Sequence, residues 1–170
     1  HFWGYQAHGI TPDLLTFAKG LGNGLTIAGV VGRADVMDAV PANSISTFGG
    51  NPLASAGALA NLRYLLDHDL QGNAAEMGGR LLTGLAPLVE RHPAIGEIRG
   101  RGLMIGLELV AADGFTPDAD AAGRVLEATK ARRLLIGKGG LYGNCLRIAP
   151  PLSITADECD EAVALFSEAV

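Results

Sequence analysis

The 170-residue sequence holds 24 glycines, about twice the usual share, and only 18% charged residues beside 48% apolar ones. Its 13 basic and 18 acidic side chains leave a net charge of −5 without a basic stripe, which argues against capture of nucleic acid or an anionic membrane surface. No apolar run reaches the ~18 residues of a membrane span; the two cysteines lack CxxC spacing and the four histidines are scattered, so a cytoplasmic protein without a metal site is expected.

In chain order, residues 12–17 and 25–32 read as two short buried strands. Between them Gly20-Leu21-Gly22-Asn23-Gly24 forms a tight loop whose backbone can take positive φ. Asn51-Pro52 opens a helix that ends near residues 67–70, with Leu59, Leu62, Leu65 and Leu66 on one face. A second helical segment runs from Asn73 to Arg91, with Met77, Leu81, Leu85 and Leu88 as its stripe. Ile95 to Leu109 is one or two strands, bulged or packed against backbone at its glycines. A helix follows from Thr116 to about Arg133, then strands at 134–136 and 145–148, and a closing helix over 156–170. The order β-β-α-α-β-α-β-β-α favours an open α/β sheet, with a change of domain after the first long helix.

Chemistry is concentrated in few residues. Of the three lysines, Lys19, Lys130 and Lys138, only Lys19 stands at a strand end beside the glycine loop. Its neighbours Leu15, Phe17 and Ala18 would desolvate the amine and make it a nucleophile or Schiff-base partner. The alternative is a stem lying along apolar surface with its head in water. Gly20-x-Gly22-x-Gly24 lacks dinucleotide-loop spacing, and no GxxxxGK phosphate loop is present.

Thr16-Phe17-Ala18-Lys19-Gly20-Leu21-Gly22-Asn23-Gly24 resembles the cofactor-lysine segment of the class III, pyridoxal-5′-phosphate (PLP)-dependent aminotransferases of fold type I, and Pro12-Asp13 fits the same pattern. Residues 46–52, STFGGNP, look like that family's Thr-bearing phosphate segment, residues 99–106 like its small-domain strand, and residues 146–152, LRIAPPL, like its carboxylate-binding segment. The fold so implied is α/β: the end of the PLP-binding large domain with its connecting helix over 1–70, and a small C-terminal α/β domain over 71–170.

By this resemblance Lys19 carries PLP through a Schiff base and moves the substrate proton. Thr47 contacts the cofactor phosphate, typically across a homodimer or dimer-of-dimers interface; the plainer role for Thr47 is to cap the helix beginning at Pro52. Arg147 takes the substrate carboxylate bidentately, against the plainer role of a strand-edge surface pair. Arg99 and Arg101 share a face and are read as structural. The implied activity moves an amino group from an amino acid to a 2-oxo acid such as glyoxylate or pyruvate. Residues 1–6 and 98–104 look most like the alanine–glyoxylate type 2 branch, with 4-aminobutyrate (ω-amino acid) transaminases close behind. A non-catalytic dimerisation or ligand-binding relative is the rival from another class.

His1-Phe2-Trp3-Gly4-Tyr5 carries neither initiator methionine nor signal-peptide pattern, so the chain reads as opening in mid-structure. The resemblance puts the pyridinium-pairing aspartate, the ring-stacking aromatic and most phosphate donors ahead of the cofactor lysine. The 170 residues alone are therefore expected to be inactive.

Overall fold

The computed structural model describes every residue except Ser44 and divides into two compact units, His1–Gln71 and Gly72–Val170. In the first, β1 (Leu14–Phe17) pairs antiparallel with β2 (Gly29–Gly32), Leu14 opposite Gly32 and Phe17 opposite Gly29. The short α1 (Ala34–Met37) follows, and Arg33 before it pairs with Asp13 at 3.0 Å and Asp35 at 2.7 Å. The long α2 spans Pro52–Asp67; Asn51 caps it by accepting from the Ala54 N–H at 3.0 Å, and proline at its first turn gives up only an N–H that has no helical partner.

The leucine stripe of α2 is not its buried face in this chain. Ala54 and Ala58 are buried, whereas Leu59 and Leu66 are about half exposed. The small side chains are the ones its own unit packs against: Gly57, one turn from Ala54, leaves the space that Leu25 fills, since a Cβ there would lie 2.1 Å from Leu25 Cδ1.

In the second unit α3 (Leu70–Leu85, whose first two residues belong to the first unit) and α4 (Pro87–Arg91) replace the single helix expected over 73–91. Pro87 has no N–H to continue the ladder, so the helix stops and restarts there. The predicted stripe holds: Met77, Leu81, Leu85 and Leu88 are all buried. The sheet is four-stranded, in the order β3 (Ile95–Arg101), β4 (Met104–Leu109), β6 (Cys145–Ile148), β5 (Gly137–Gly139). A register shift between Ile95 and Glu97 marks the bulge that the glycines suggested.

Every strand pair in both sheets is antiparallel, and the four-stranded sheet is the open α/β sheet that element order favours. Strands β3 and β4 join through a short turn with Gly102 at φ +51°, and Gly78 of α3 packs on that turn so closely that a Cβ would lie 2.1 Å from the Gly102 oxygen. The strand expected at 134–136 also moves, to Gly137–Gly139, with Leu135 left 81% exposed.

Helices α5 (Ala119–Ala131) and α6 (Ala156–Ser167) complete the unit, capped by Asp118 and by a Thr155–Glu158 capping box. One face of the sheet contributes Ile105, Leu107, Leu109, Leu146 and Ile148 to a core shared with Leu81, Leu85, Ala122, Cys159 and Phe166. The opposite face carries Glu97, Arg99, Gly106, Glu108, Cys145 and Arg147, all partly or largely exposed.

Candidate active site

Lys19 follows β1 at the point where the chain turns. Ala18 is extended, Lys19 takes φ +51°, and a single 3₁₀ turn over Lys19–Leu21 closes with Gly22 N–H donating to the Lys19 oxygen at 3.1 Å. A left-handed backbone at a side chain without a local polar bond is uncommon and persists only where its surroundings fix it. Here Asn61 of α2 does so, its Nδ2 donating to the Gly20 oxygen at 2.8 Å and the Leu21 oxygen at 3.1 Å. Gly22 completes the clamp: it is buried, and a Cβ would fall 2.0 Å from the Leu25 oxygen.

Sequence reasoning missed Asn61, which sits 41 residues from Gly20. A polar side chain breaking the apolar stripe between Leu59 and Leu62 was the available signal. The desolvation expected from Leu15, Phe17 and Ala18 is not supplied by them: Lys19 is exposed and has no ion-pair partner among the described residues.

Thr47 lies in the turn before α2. The Gly49 N–H donates to Ser46 Oγ at 3.0 Å, the Asn51 side chain donates to the Phe48 oxygen at 2.8 Å, and Gly50 takes φ +65°. Asn51, not Thr47, caps the helix, so the plainer role for Thr47 is taken by another residue. Its exposed hydroxyl has no hydrogen-bond partner among the described residues. One helix thus supports both features of this unit. The supports, Asn51 and Asn61, are ten residues apart along α2, about 15 Å at 1.5 Å per residue.

Arg147 belongs to the second unit and projects from β6, an interior strand, opposite Gly106 on β4 and Gly137 on β5. Its guanidinium lies over β5, with Nε and Nη2 each 3.4 Å from where a Gly137 Cβ would sit. Glycines there leave room for the planar group. No carboxylate pairs with it among the described residues, so the surface-pair alternative does not describe it.

The other arginine on this face differs. Arg99 bonds Glu97 at 2.5 Å and Glu108 at 2.8 Å, and these carboxylates, Glu108 foremost, hold its guanidinium more firmly protonated than usual. Of the cysteines, Cys159 is buried in the core, where burial pushes its thiol up and away from reactivity. Among the described residues no cluster of metal ligands forms, and no helix is long and apolar enough to cross a membrane.

The unpaired amine, hydroxyl and guanidinium each occupy the segment singled out for them in the sequence, and the family model for aminotransferase class III matches residues 1–170. This chain belongs to that family. Class III relatives include an alanine–glyoxylate aminotransferase 2 homologue from Arabidopsis thaliana, described as mitochondrial, 41% identical over 94% of this chain and 34% of its own length. A 4-aminobutyrate aminotransferase from Escherichia coli is 38% identical over 94% of this chain and 38% of its own. A solved amine transaminase from an uncultivated Pseudomonas species, with PLP bound, superposes with a TM-score of 0.89 at 34% identity, covering 99% of this chain and 40% of that one. The chain therefore spans between about a third and two fifths of the length of these three proteins.

Proposed function

We propose that the protein containing this chain is a PLP-dependent aminotransferase that moves an amino group from an amino acid to a 2-oxo acid such as glyoxylate or pyruvate, with Lys19 as its catalytic residue. The observation that carries the reading is the left-handed, exposed and unpaired Lys19, clamped by Asn61 within a class III chain. The donor set fits the cofactor: a primary amine for its aldehyde, a free hydroxyl at Thr47 for its phosphate and an unpaired guanidinium at Arg147 for a substrate carboxylate.

When bound, PLP supplies an aldehyde carbon that exchanges amines and a ring that delocalises the electron pair left at the substrate Cα. Lys19 Nζ is the amine that would hold that aldehyde carbon, and once freed it would serve as the base that accepts the substrate Cα proton and as the acid that gives it back. Arg147 would fix the substrate carboxylate by paired N–H donors.

One observation supports a homodimer in which Thr47 serves the partner's cofactor: the residues around Thr47 are apolar yet open, with Ile45 88%, Phe48 74% and Leu53 72% exposed. We also infer a cytoplasmic setting, which suits two free thiols.

Borohydride reduction of the complete, PLP-loaded protein followed by peptide mapping is the test. The expected pyridoxyl adduct is on Lys19; an adduct on Lys130 or Lys138 overturns the assignment, and a protein that stays colourless with PLP overturns the cofactor. Assaying alanine against 4-aminobutyrate as donor separates the first reading from an ω-amino acid transaminase.

A further inference from the structure

On the uncovered face of the four-stranded sheet the register places side chains in two cross-strand rows. One row runs Arg99, Gly106, Arg147, Gly137 across β3, β4, β6 and β5; the next runs Glu97, Glu108, Cys145, Gly139. Glu108 is opposite Cys145, which makes Arg147 its diagonal neighbour on β6. Diagonal neighbours in an antiparallel pair lie about 7–8 Å apart, within reach of long side chains. Gly106, between the arginines, places nothing in the way.

Arg147 therefore has a carboxylate of its own chain within reach, yet has no ion-pair partner among the described residues. Glu108 turns instead to Arg99, whose two terminal nitrogens divide between Glu108 at 2.8 Å and Glu97 at 2.5 Å.

We propose that Arg99 is a positioning residue that restrains Glu108, so that Arg147 stays free for a carboxylate substrate. The proposal rests on the carboxylate-binding reading of Arg147 and adds to it an internal competitor and its restraint. The geometry gives the effect a sign and a size. Without Arg99, Glu108 of β4 gains nothing by turning toward β3 and pairs diagonally with Arg147, so an incoming carboxylate must displace it. All three members of the restraining group are partly solvated, with side chains 48%, 56% and 37% exposed for Arg99, Glu97 and Glu108. The competition is therefore that of an exposed ion pair, about threefold to fivefold in apparent affinity rather than a complete block.

The test compares alanine with propylamine, an amine of similar size without the carboxylate, in the complete PLP-loaded protein. Arg99→Met is expected to raise KM for alanine and for pyruvate about threefold to fivefold and to lower the alanine-to-propylamine ratio of kcat/KM by the same factor. Adding Glu108→Gln, which cannot pair with Arg147 as an anion, is expected to bring the ratio back to within about twofold of the unmodified protein.

A ratio that Arg99→Met leaves unchanged overturns the proposal. So does a ratio that falls but is not restored by Glu108→Gln, the outcome if Arg99 touches substrate itself or merely holds the sheet together. If Arg99→Met does not fold, Arg99→Lys, which keeps the charge but loses the fork, carries the same comparison with and without Glu108→Gln. Arg147→Met judges the underlying reading separately: if it leaves the alanine-to-propylamine ratio unchanged, Arg147 is not the carboxylate site, whatever Arg99 does.

Discussion

The two units hold their chemistry in opposite ways. In Gly72–Val170 Arg147 sits on a sheet whose other face is a packed core, with Leu85, Leu107 and Leu146 fully buried. In His1–Gln71 the only buried apolar side chains described are those of Ala54 and Ala58, while Ile10, Val31, Val40 and Leu53 lie more than half exposed. The lysine is nevertheless held in an uncommon backbone conformation by two hydrogen bonds and a glycine contact rather than by burial. A core can position an arginine from behind; the lysine loop relies on local bonds and on whatever covers its apolar surface.

The largest expected effect falls on the loosely packed unit. Lys19→Ala in the complete enzyme should lower kcat by about 10²-fold to 10⁴-fold or more, the range contributed by a positioned acid–base group. The urea midpoint of the 170-residue chain should not move, because there the side chain removed is exposed. A variant that retains full activity would dissolve the distinction, since the lysine would then be as incidental as its exposure suggests.

The next effect belongs to the core. Phe166→Ala should cost about 3–5 kcal/mol, the usual range for emptying a buried aromatic site. Leu59→Ala on α2 should cost within about 0.5 kcal/mol in this 170-residue chain, as a surface change does. A much larger cost for the same Leu59 change in the complete protein, by urea denaturation, would show that other parts of the protein cover this helix. Trp3 is the sole tryptophan and belongs to the first unit. Its fluorescence in this chain should therefore change at lower urea than the far-ultraviolet signal, most of whose helix and sheet lie in the second. Coincident transitions would mean that the units are cooperative and the contrast is only one of appearance.

Legibility followed the same division. The short motifs were readable because their chemistry constrains residue type: the lysine beside glycines, STFGGNP and LRIAPPL all lie where a strand or helix ends or an interior strand passes. The stripe of α3 was readable because its own unit buries it. The leucines of α2 misled for the converse reason, since periodicity reports a face that expects cover without saying whether this chain supplies it.

Strand β5 was misplaced by three residues because Leu134–Ile136 has the apolar composition of a strand, whereas pairing with β6 selects Gly137–Gly139. There glycines leave room for the Arg147 side chain. Asn61 and the Arg99–Glu108 pair depend on contacts between elements, which no local window of sequence contains.

A smaller effect tests how the tightly packed unit is closed. Glycine at position 78 is required by contact rather than by backbone conformation, for α3 meets the β3–β4 turn there. Gly78→Ala should cost about 1–3 kcal/mol as overpacking, against the gain in helix propensity that alanine brings at an open site such as Gly79. Equal stability of the two variants would mean that the turn gives way at little cost.

The smallest expected effect is one of pH, and it again separates the units. Glu158 accepts from the Thr155 N–H and hydroxyl, Asp160 from the Arg80 guanidinium, and Asp113 from Thr116. Those bonds hold all three carboxyls below their ordinary range. A folded-state value below the unfolded one means stability that is fully present above the unfolded value and lost as pH falls through the folded one. The loss therefore begins near pH 5 and continues below about pH 4, where unfolded glutamate and aspartate titrate. All three groups are in Gly72–Val170 and are exposed, so the acid slope should be shallow and further reduced by salt. Thr155→Ala combined with Arg80→Met removes the hydroxyl bond to Glu158 and the guanidinium bond to Asp160, while the N–H of residue 155 still reaches Glu158. The far-ultraviolet unfolding midpoint of that double variant should vary less between pH 6 and pH 3 than that of the unmodified chain, while the Trp3 signal keeps its own pH dependence. An unchanged acid slope in the double variant would place the acid-sensitive carboxylates elsewhere.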